Sequence, residues 1–268
     1  MTDVVYDVRD QVMHVLLDGE ETMNSLSPET IEQLNQMLDA AERDTSLRAV
    51  VIRGAGRKAF CVGMDITFLG RCFGDPDGVF IPFLESFHAT LLRLEALPVP
   101  VVAEVGGLAR AGGFELILAC DIVIAAEEAR VGDVHVSFGV TPGAGASQRA
   151  LRKLGDQRAK ALMLTSGWLR GGQLVEWGLA LETHPYEELS GAVEDFVSRL
   201  RGQSRPVLAM TKHLLTEGRE WGFREGLDHE LATFKRFLVE VPDHAEGYTA
   251  FVEGRPAVWG DADVRGLC

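Results

Sequence analysis

Three short apolar runs, LRAVVIRG (47–54), PVVAEVGG (100–107) and DIVIAA (121–126), narrow the choice of fold more than any other feature of the chain. None shows the strict apolar–polar alternation of a strand with one wet face. Runs of this length that are mostly apolar need cover on both faces, the situation of a strand inside a parallel sheet. The first two close on glycine, and segments with helical spacing separate the runs. Strand, glycine turn, helix, strand is the pattern of an α/β domain with largely parallel pairing.

Elements on either side fit that frame. Residues 4–9 and 12–17 read as short strands around a turn at Asp10-Gln11. Ser27 is an N-cap candidate, Pro28 suits the first helical position and Glu29 the positive end of the dipole. Ile31, Leu34, Leu38 and Ala41 then recur at helical spacing. After about Leu151 strands nearly vanish. GGQLVEWGLALE, LSGAVEDFVSRLRG, RPVLAMTKHLLTEG, GFREGLDHELATFKRFLVE and DHAEGYTAFVEG read as successive helices punctuated by Gly and Pro.

The formal charge of -14, with no basic block, argues against DNA or RNA as a partner. The N-terminus is acidic where a signal peptide is basic, and the longest apolar stretch, LILACDIVIAA, is too short to span a bilayer. No membrane association is expected. Cys61, Cys72, Cys120 and Cys268 have no CxxC or disulfide-like spacing, which fits a cytoplasmic protein. GxSxG, GxxxxGK[ST] and HExxH are all absent, so a serine nucleophile, a P-loop and a zinc site have no support. No metal is expected.

Two glycine-containing loops carry the remaining signal: GRKAFCVGMDI (Gly56 to Ile66) and VGGLARAGGFELILACD (Val105 to Asp121). In the second, Gly112-Gly113 precede an apolar helix, and paired glycines there let a ligand approach bare N–H groups. Two such loops facing one another would grip one oxygen with two donors; on composition alone, ordinary turn chemistry is the favoured reading. Glu115 lies in the first turn of that apolar helix. It either complements the helix dipole or sits buried with a raised pKa suited to acid–base work. His135 stands alone among small and apolar neighbours, as a packed ring or as a proton carrier.

The ordered set MNSLS, LRAVVIRGAGRKAFCVGMDI, PVPVVAEVGGLARAGGFELILACDIVIAAEEARVG, FGVTPGAGASQR, LMLTSGWLRGGQLVEWGLA, RPVLAMTKHLL and AEGYTAFVEGRP resembles the crotonase superfamily, the enoyl-CoA hydratase/isomerase family, over nearly the whole chain. The resemblance implies an α/β fold, a spiral of ββα turns over residues 1–200. A helical C-terminal region over 201–268 would serve trimer or hexamer assembly. It implies an acyl-CoA substrate, with CoA entering as part of that substrate and no separate cofactor. The oxyanion-hole donors map onto the N–H groups of Met64 and Gly112, and the acid–base positions onto Glu115 and His135. Ile66, Phe68, Leu69 and Gly113 are the expected substrate-binding residues, with Phe80, Pro82 and Phe83 shaping the entrance. Arg57, Lys58, Lys212 and Arg255 are candidates for the CoA phosphates.

Three departures from the family pattern stand out. His135 occupies a position where hydratases usually carry glutamate, Ala111 replaces a frequent glycine, and GEETM (residues 19–23) lacks a basic residue often found there. The expected reaction is water addition to a 2-enoyl thioester, or its reversal. The alternatives on the same fold are an isomerase, a decarboxylase, a β-diketone C–C hydrolase using His135, or a catalytically silent acyl-CoA binder.

Overall fold

A computed structural model describes residues 1–260; Cys268 and the end of the expected C-terminal region lie outside the described residues. Strands β1 (Asp3–Arg9) and β2 (Val12–Asp18) pair antiparallel around Asp10 and Gln11. Both turn residues have positive φ, 48° and 65°, the turn whose twist suits a two-residue hairpin. Helix α1 (Pro28–Arg43) starts as its sequence dictates: the Ser27 hydroxyl accepts from the Thr30 N–H at 3.3 Å and Pro28 fills the first turn. Its Ile31, Leu34, Leu38 and Ala41 form the buried stripe.

The chain then repeats one route between two sheets. Strand β3 (Ala49–Gly54) leads to β4 (Ala59–Cys61) and helices α2 (Ile66–Gly74) and α3 (Ile81–Ala96). Strand β5 (Val101–Val105) leads to β6 (Leu108–Arg110) and α4 (Gly112–Ala119). Strand β7 (Ile122–Ala126) leads to β8 (Arg130–Gly132), α5 (Ala146–Leu154) and α6 (Asp156–Leu164). A shorter last turn holds β9 (Leu169–Arg170), α7 (Gly172–Glu176) and β10 (Glu182–His184). One sheet has the order β1-β2-β3-β5-β7-β10 and the other β4-β6-β8-β9; only β1-β2 and β8-β9 are antiparallel. This is the ββα spiral that the resemblance implies.

The three apolar runs supply β3, β5 and β7, and Val50, Val51, Val102, Ala103, Ile124 and Ala125 are all buried at the centre. Beyond the sheets the chain is helical: α8 (Tyr186–Arg201), α9 (Arg205–Glu217), α10 (Phe223–Glu240) and α11 (Asp243–Glu253). GGQLVEWGLALE is not the single helix that its spacing suggests. Helix α7 stops at Glu176, Gly178 turns the chain at φ 78°, and Glu182 joins the sheet edge beside β7. Among the described residues no helix is long and apolar enough to cross a membrane.

Candidate active site

Strands β4, β6 and β8 are adjacent and parallel, and each ends where a site residue begins. Past β4 comes Met64, past β6 comes Gly112, and past β8 come Asp133 and His135. The space beyond the carboxyl ends of parallel strands is where loops converge on a ligand.

Met64 is aimed by its neighbours. The Leu26 N–H donates to the Gly63 carbonyl and the Asp65 N–H donates to the Leu26 carbonyl, both at 2.8 Å. In this parallel bridge the Met64 N–H faces away from Leu26. Glycines then let the two loops close on each other. A Cβ on Gly63 (φ 87°) would stand 2.8 Å from the Gly112 nitrogen, and one on Gly113 would stand 2.0 Å from the Cys61 carbonyl oxygen. Neither the Met64 nor the Gly112 amide donates to another group among the described residues. Two unengaged N–H groups thus sit on touching loops, one of them at a helix N-terminus. Ala111, between β6 and Gly112, has φ 47° and ψ −120°; the same turn before α7 is made by Gly171 (φ 47°, ψ −132°). An alanine in this conformation is strained by roughly 1–3 kcal/mol.

Glu115 is 3% exposed inside the all-buried helix α4. Its Oε1 accepts from the N–H groups of Ala144 (2.8 Å) and Ala146 (3.2 Å), and no described residue donates to Oε2. The turn that presents those amides is itself held. Arg149 donates to the Ala144 carbonyl at 2.8 Å and grips Glu95 with two bonds of 2.9 and 2.6 Å. Burial raises the Glu115 pKa; the charge of His135 and the two amides pull it back only in part.

His135 bonds through Nδ1 to Oδ1 of Asp133, a carboxylate with no exposed surface. Burial by itself lowers the pKa of the ring. The Asp133 hydrogen bond and charge, joined by the charge of Glu115, outweigh it and raise the pKa. Asp133 was not among the residues that sequence reasoning singled out. The available signal was an acidic residue two positions before the histidine.

Glu115, His135, Met64 and Gly112 all line one cavity of about 490 Å³. Its other wall is apolar and aromatic, including Phe73, Phe80, Phe83, Phe87 and Phe138. The expected substrate contacts divide by helix face. Ile66, Leu69 and Phe73, at positions i, i+3 and i+7 of α2, line the cavity. Phe68 and Cys72 turn to another face, into the core, where Phe68 packs on Phe83 with ring centroids 5.1 Å apart. Phe68 and Gly113 are therefore not cavity residues: the first is core and the second a close contact between α4 and β4. Of the expected entrance residues, Phe80 and Phe83 line the cavity and Pro82 does not.

The four cations assigned to phosphates do not gather there. Lys212 is 8% exposed and bonded to Oδ2 of Asp121 (2.7 Å) and the Val99 carbonyl (3.0 Å), at the entry ends of β7 and β5. That makes it an internal ion pair. Arg255, just past the end of α11, is engaged by Glu246 (2.6 Å) and Glu253 (2.7 Å) of that helix. Arg57 lies over the Tyr186 ring, 4.4 Å from its centroid, and pairs with Glu187 at 2.6 Å beside a separate polar hollow. Lys58 is exposed and lines neither hollow. Arg110, which sequence reasoning did not single out, is the basic residue of the cavity wall other than His135 among the described residues. No group of three or more metal-ligating side chains occurs among the described residues.

The enoyl-CoA hydratase/isomerase family model matches residues 7–262 of the chain. A short-chain-enoyl-CoA hydratase of Clostridium acetobutylicum is 28% identical over 262 residues, covering 95% of this chain and 96% of that protein. The mitochondrial methylglutaconyl-CoA hydratase of Homo sapiens is 31% identical, covering 87% of this chain and 69% of that protein. Among solved structures, an enoyl-CoA hydratase from Bacillus anthracis superposes with a TM-score of 0.92 at 29% identity, covering 97% of this chain and all of the other.

Proposed function

Because the chain belongs to the enoyl-CoA hydratase/isomerase family, we propose that it adds water to a 2-enoyl-CoA thioester, or removes it in the reverse direction. The observation that carries the reading is the convergence of Glu115, His135 and two unengaged amides on one apolar-walled cavity. The Met64 and Gly112 N–H groups receive the thioester oxygen, which polarises the conjugated double bond. Each such donor is worth ~3 kcal/mol of barrier. Glu115 takes a proton from water as its oxygen bonds to the β carbon, leaving an enolate on the acyl group. His135, as imidazolium, gives a proton to the α carbon. Proton transfer from Glu115 back to His135, directly or through water, closes the cycle. Only protons and a hydroxyl move, so the reaction calls for no redox cofactor.

The phenylalanine wall suits the hydrocarbon part of the acyl group, and the family places the thioester on CoA. Assembly enters the reading through the C-terminal helices. Phe223, Leu227, Leu231, Phe234 and Leu238 recur at helical spacing along α10, and every one is exposed in the single chain. A continuous apolar stripe of that kind supports self-association, as a homotrimer or a dimer of trimers. Buried free thiols at Cys61, Cys72 and Cys120 suit a reducing, cytoplasmic setting.

Incubation with 2-butenoyl-CoA in isotopically labelled water, read by mass spectrometry, tests the function. Gain of one labelled water on an intact thioester supports it. Ring opening of a cyclic β-diketone without hydration of any enoyl-CoA refutes it.

A further inference from the structure

We propose that Asp133 is a positioning residue that holds His135 through Nδ1, so that Nε2 alone faces the cavity as the proton-carrying atom, and that its carboxylate provides the counter-charge for the protonated ring. The inference rests on the acid–base reading above, since it concerns the residue to which that reading gives the second proton transfer.

Asp133 is a buried charge with no exposed surface and one ion-pair partner among the described residues, His135. Oδ1 takes the ring, while Oδ2 is buried with no hydrogen-bond partner among the described residues. A buried carboxylate with half its acceptor capacity unused is costly unless a positive charge compensates it. The adjacent imidazolium is the compensating charge that this site provides.

Ring geometry supplies the second half. With Nδ1 committed to Asp133, the neutral imidazole carries its proton on Nδ1 and leaves Nε2 unprotonated; in the cation, Nε2–H is the transferable proton. Nε2 has no partner among the described residues, and the ring lines the cavity. The backbone beneath is braced: the Ser137 hydroxyl donates to the Val134 carbonyl at 2.8 Å, and the Ser137 N–H donates to the Ser166 hydroxyl at 3.0 Å. The charged groups that face the ring are Asp133 from the end of β8 and Glu115 from α4. Arg110 on β6, Asp65 at the start of α2 and Glu21 line the same cavity.

A merely structural Asp133 makes a different prediction, because asparagine keeps an oxygen that can accept from Nδ1–H. The experiment is Asp133→Asn in the full chain, with ¹⁵N-labelled histidine followed by NMR across pH and His135→Gln used to assign the signal. The expected result is a His135 titration displaced to lower pH. The basic limb of kcat/KM for 2-butenoyl-CoA should move to lower pH in step. We expect kcat to drop ~10²–10³-fold, within the range for a proton-transfer group, with a smaller change in KM. An unchanged titration and pH profile would overturn the proposal. Should the variant fail to fold, the parent's ¹⁵N shifts decide: a neutral ring protonated on Nδ1 supports the assignment and one protonated on Nε2 overturns it. The NMR arm needs no turnover, so failure of the hydratase reading would be seen separately, as a parent protein that hydrates no enoyl-CoA.

Discussion

Replacing Glu115 by glutamine or by alanine separates its chemical role from its structural one. Glutamine preserves the shape and keeps Oε1 as acceptor for the Ala144 and Ala146 amides, while the free Oε2 becomes an NH₂ that cannot accept a proton from water. General-base catalysis is worth ~10²–10⁴ in rate, or about 2.7–5.4 kcal/mol at 1.36 kcal/mol per decade. Glu115→Gln should therefore lower kcat for 2-butenoyl-CoA hydration by at least ~10². Its thermal midpoint should match or exceed the parent's, because a charge disfavoured by burial is gone. Alanine removes the acceptor as well and leaves two buried amides without a partner, at about 1–3 kcal/mol each. At roughly 2–4 °C per kcal/mol, Glu115→Ala should lose ~4 °C or more. Loss of absorbance from the conjugated thioester measures the rate, and differential scanning fluorimetry the midpoint. A glutamine variant that hydrates at the parent rate, or melts like the alanine variant, refutes the reasoning.

Other expectations follow from the same geometry. The pH profile of kcat/KM should be bell-shaped. Its acidic limb lies above the ordinary carboxylate range because burial raises Glu115, which must be ionised to act as base; its basic limb lies above ~6.5 because Asp133 raises His135, which must be protonated to act as acid. Limbs in the ordinary ranges would count against those roles. Gly113→Ala puts a Cβ 2.0 Å from the Cys61 carbonyl, so soluble yield and urea midpoint should both fall, by ~1–3 kcal/mol or more in stability. Ala111→Gly should do the opposite. Relief of ~1–3 kcal/mol of strain exceeds the ~0.5–1 kcal/mol entropic disadvantage of glycine, and an unchanged or lower urea midpoint would contradict it. Leu231→Glu within the apolar stripe of α10 should shift the protein to smaller species in light scattering; an unaltered mass would remove that stripe from the interface.

The parts of the fold legible in the sequence are those whose signal is local. Helix α9 runs Arg205–Glu217 within the segment whose spacing predicts it, and α1 begins at Pro28 behind its Ser27 cap. Strands β3, β5 and β7 are visible because burial on both faces demands continuous apolar residues. The smaller sheet is invisible for the opposite reason. Its strands are two or three residues long and exist only through pairing with segments brought from elsewhere in the chain. The same division runs through the site. Resemblance placed Glu115, His135, Met64 and Gly112 together, whereas Phe68 and Leu69 are neighbours in sequence and fall on different faces because a helix turns 100° per residue. Lys212 looks like a solvated cation until α9 is docked and Asp121 claims it.

Those differences explain why the backbone and the side chains of this site tolerate change unequally. The two amides depend on Gly63 and Gly113, where a Cβ would meet main-chain atoms of the facing loop at 2.8 and 2.0 Å. The proposed oxyanion hole therefore rests on main-chain packing, and would serve any thioester chemistry proposed for this site. The proton carriers are less constrained, because a proton can be delivered by any group whose charge the surroundings support. Exchanging a carboxyl for imidazole at position 135 would put a positive ring in a buried pocket, and that is tenable because Asp133 lies two residues away with its carboxylate against Nδ1. On this argument Asp133 and His135 function as one unit. A His135→Glu change made alone would set a second buried carboxylate against Asp133 and should lower activity, even though it restores the residue type usual among the hydratases. Paired with Asp133→Asn, the repulsion disappears, and activity of the double variant above that of His135→Glu alone is the expected outcome; a double variant that falls as far below His135→Glu as Asp133→Asn falls below the parent would show that the two positions are not coupled.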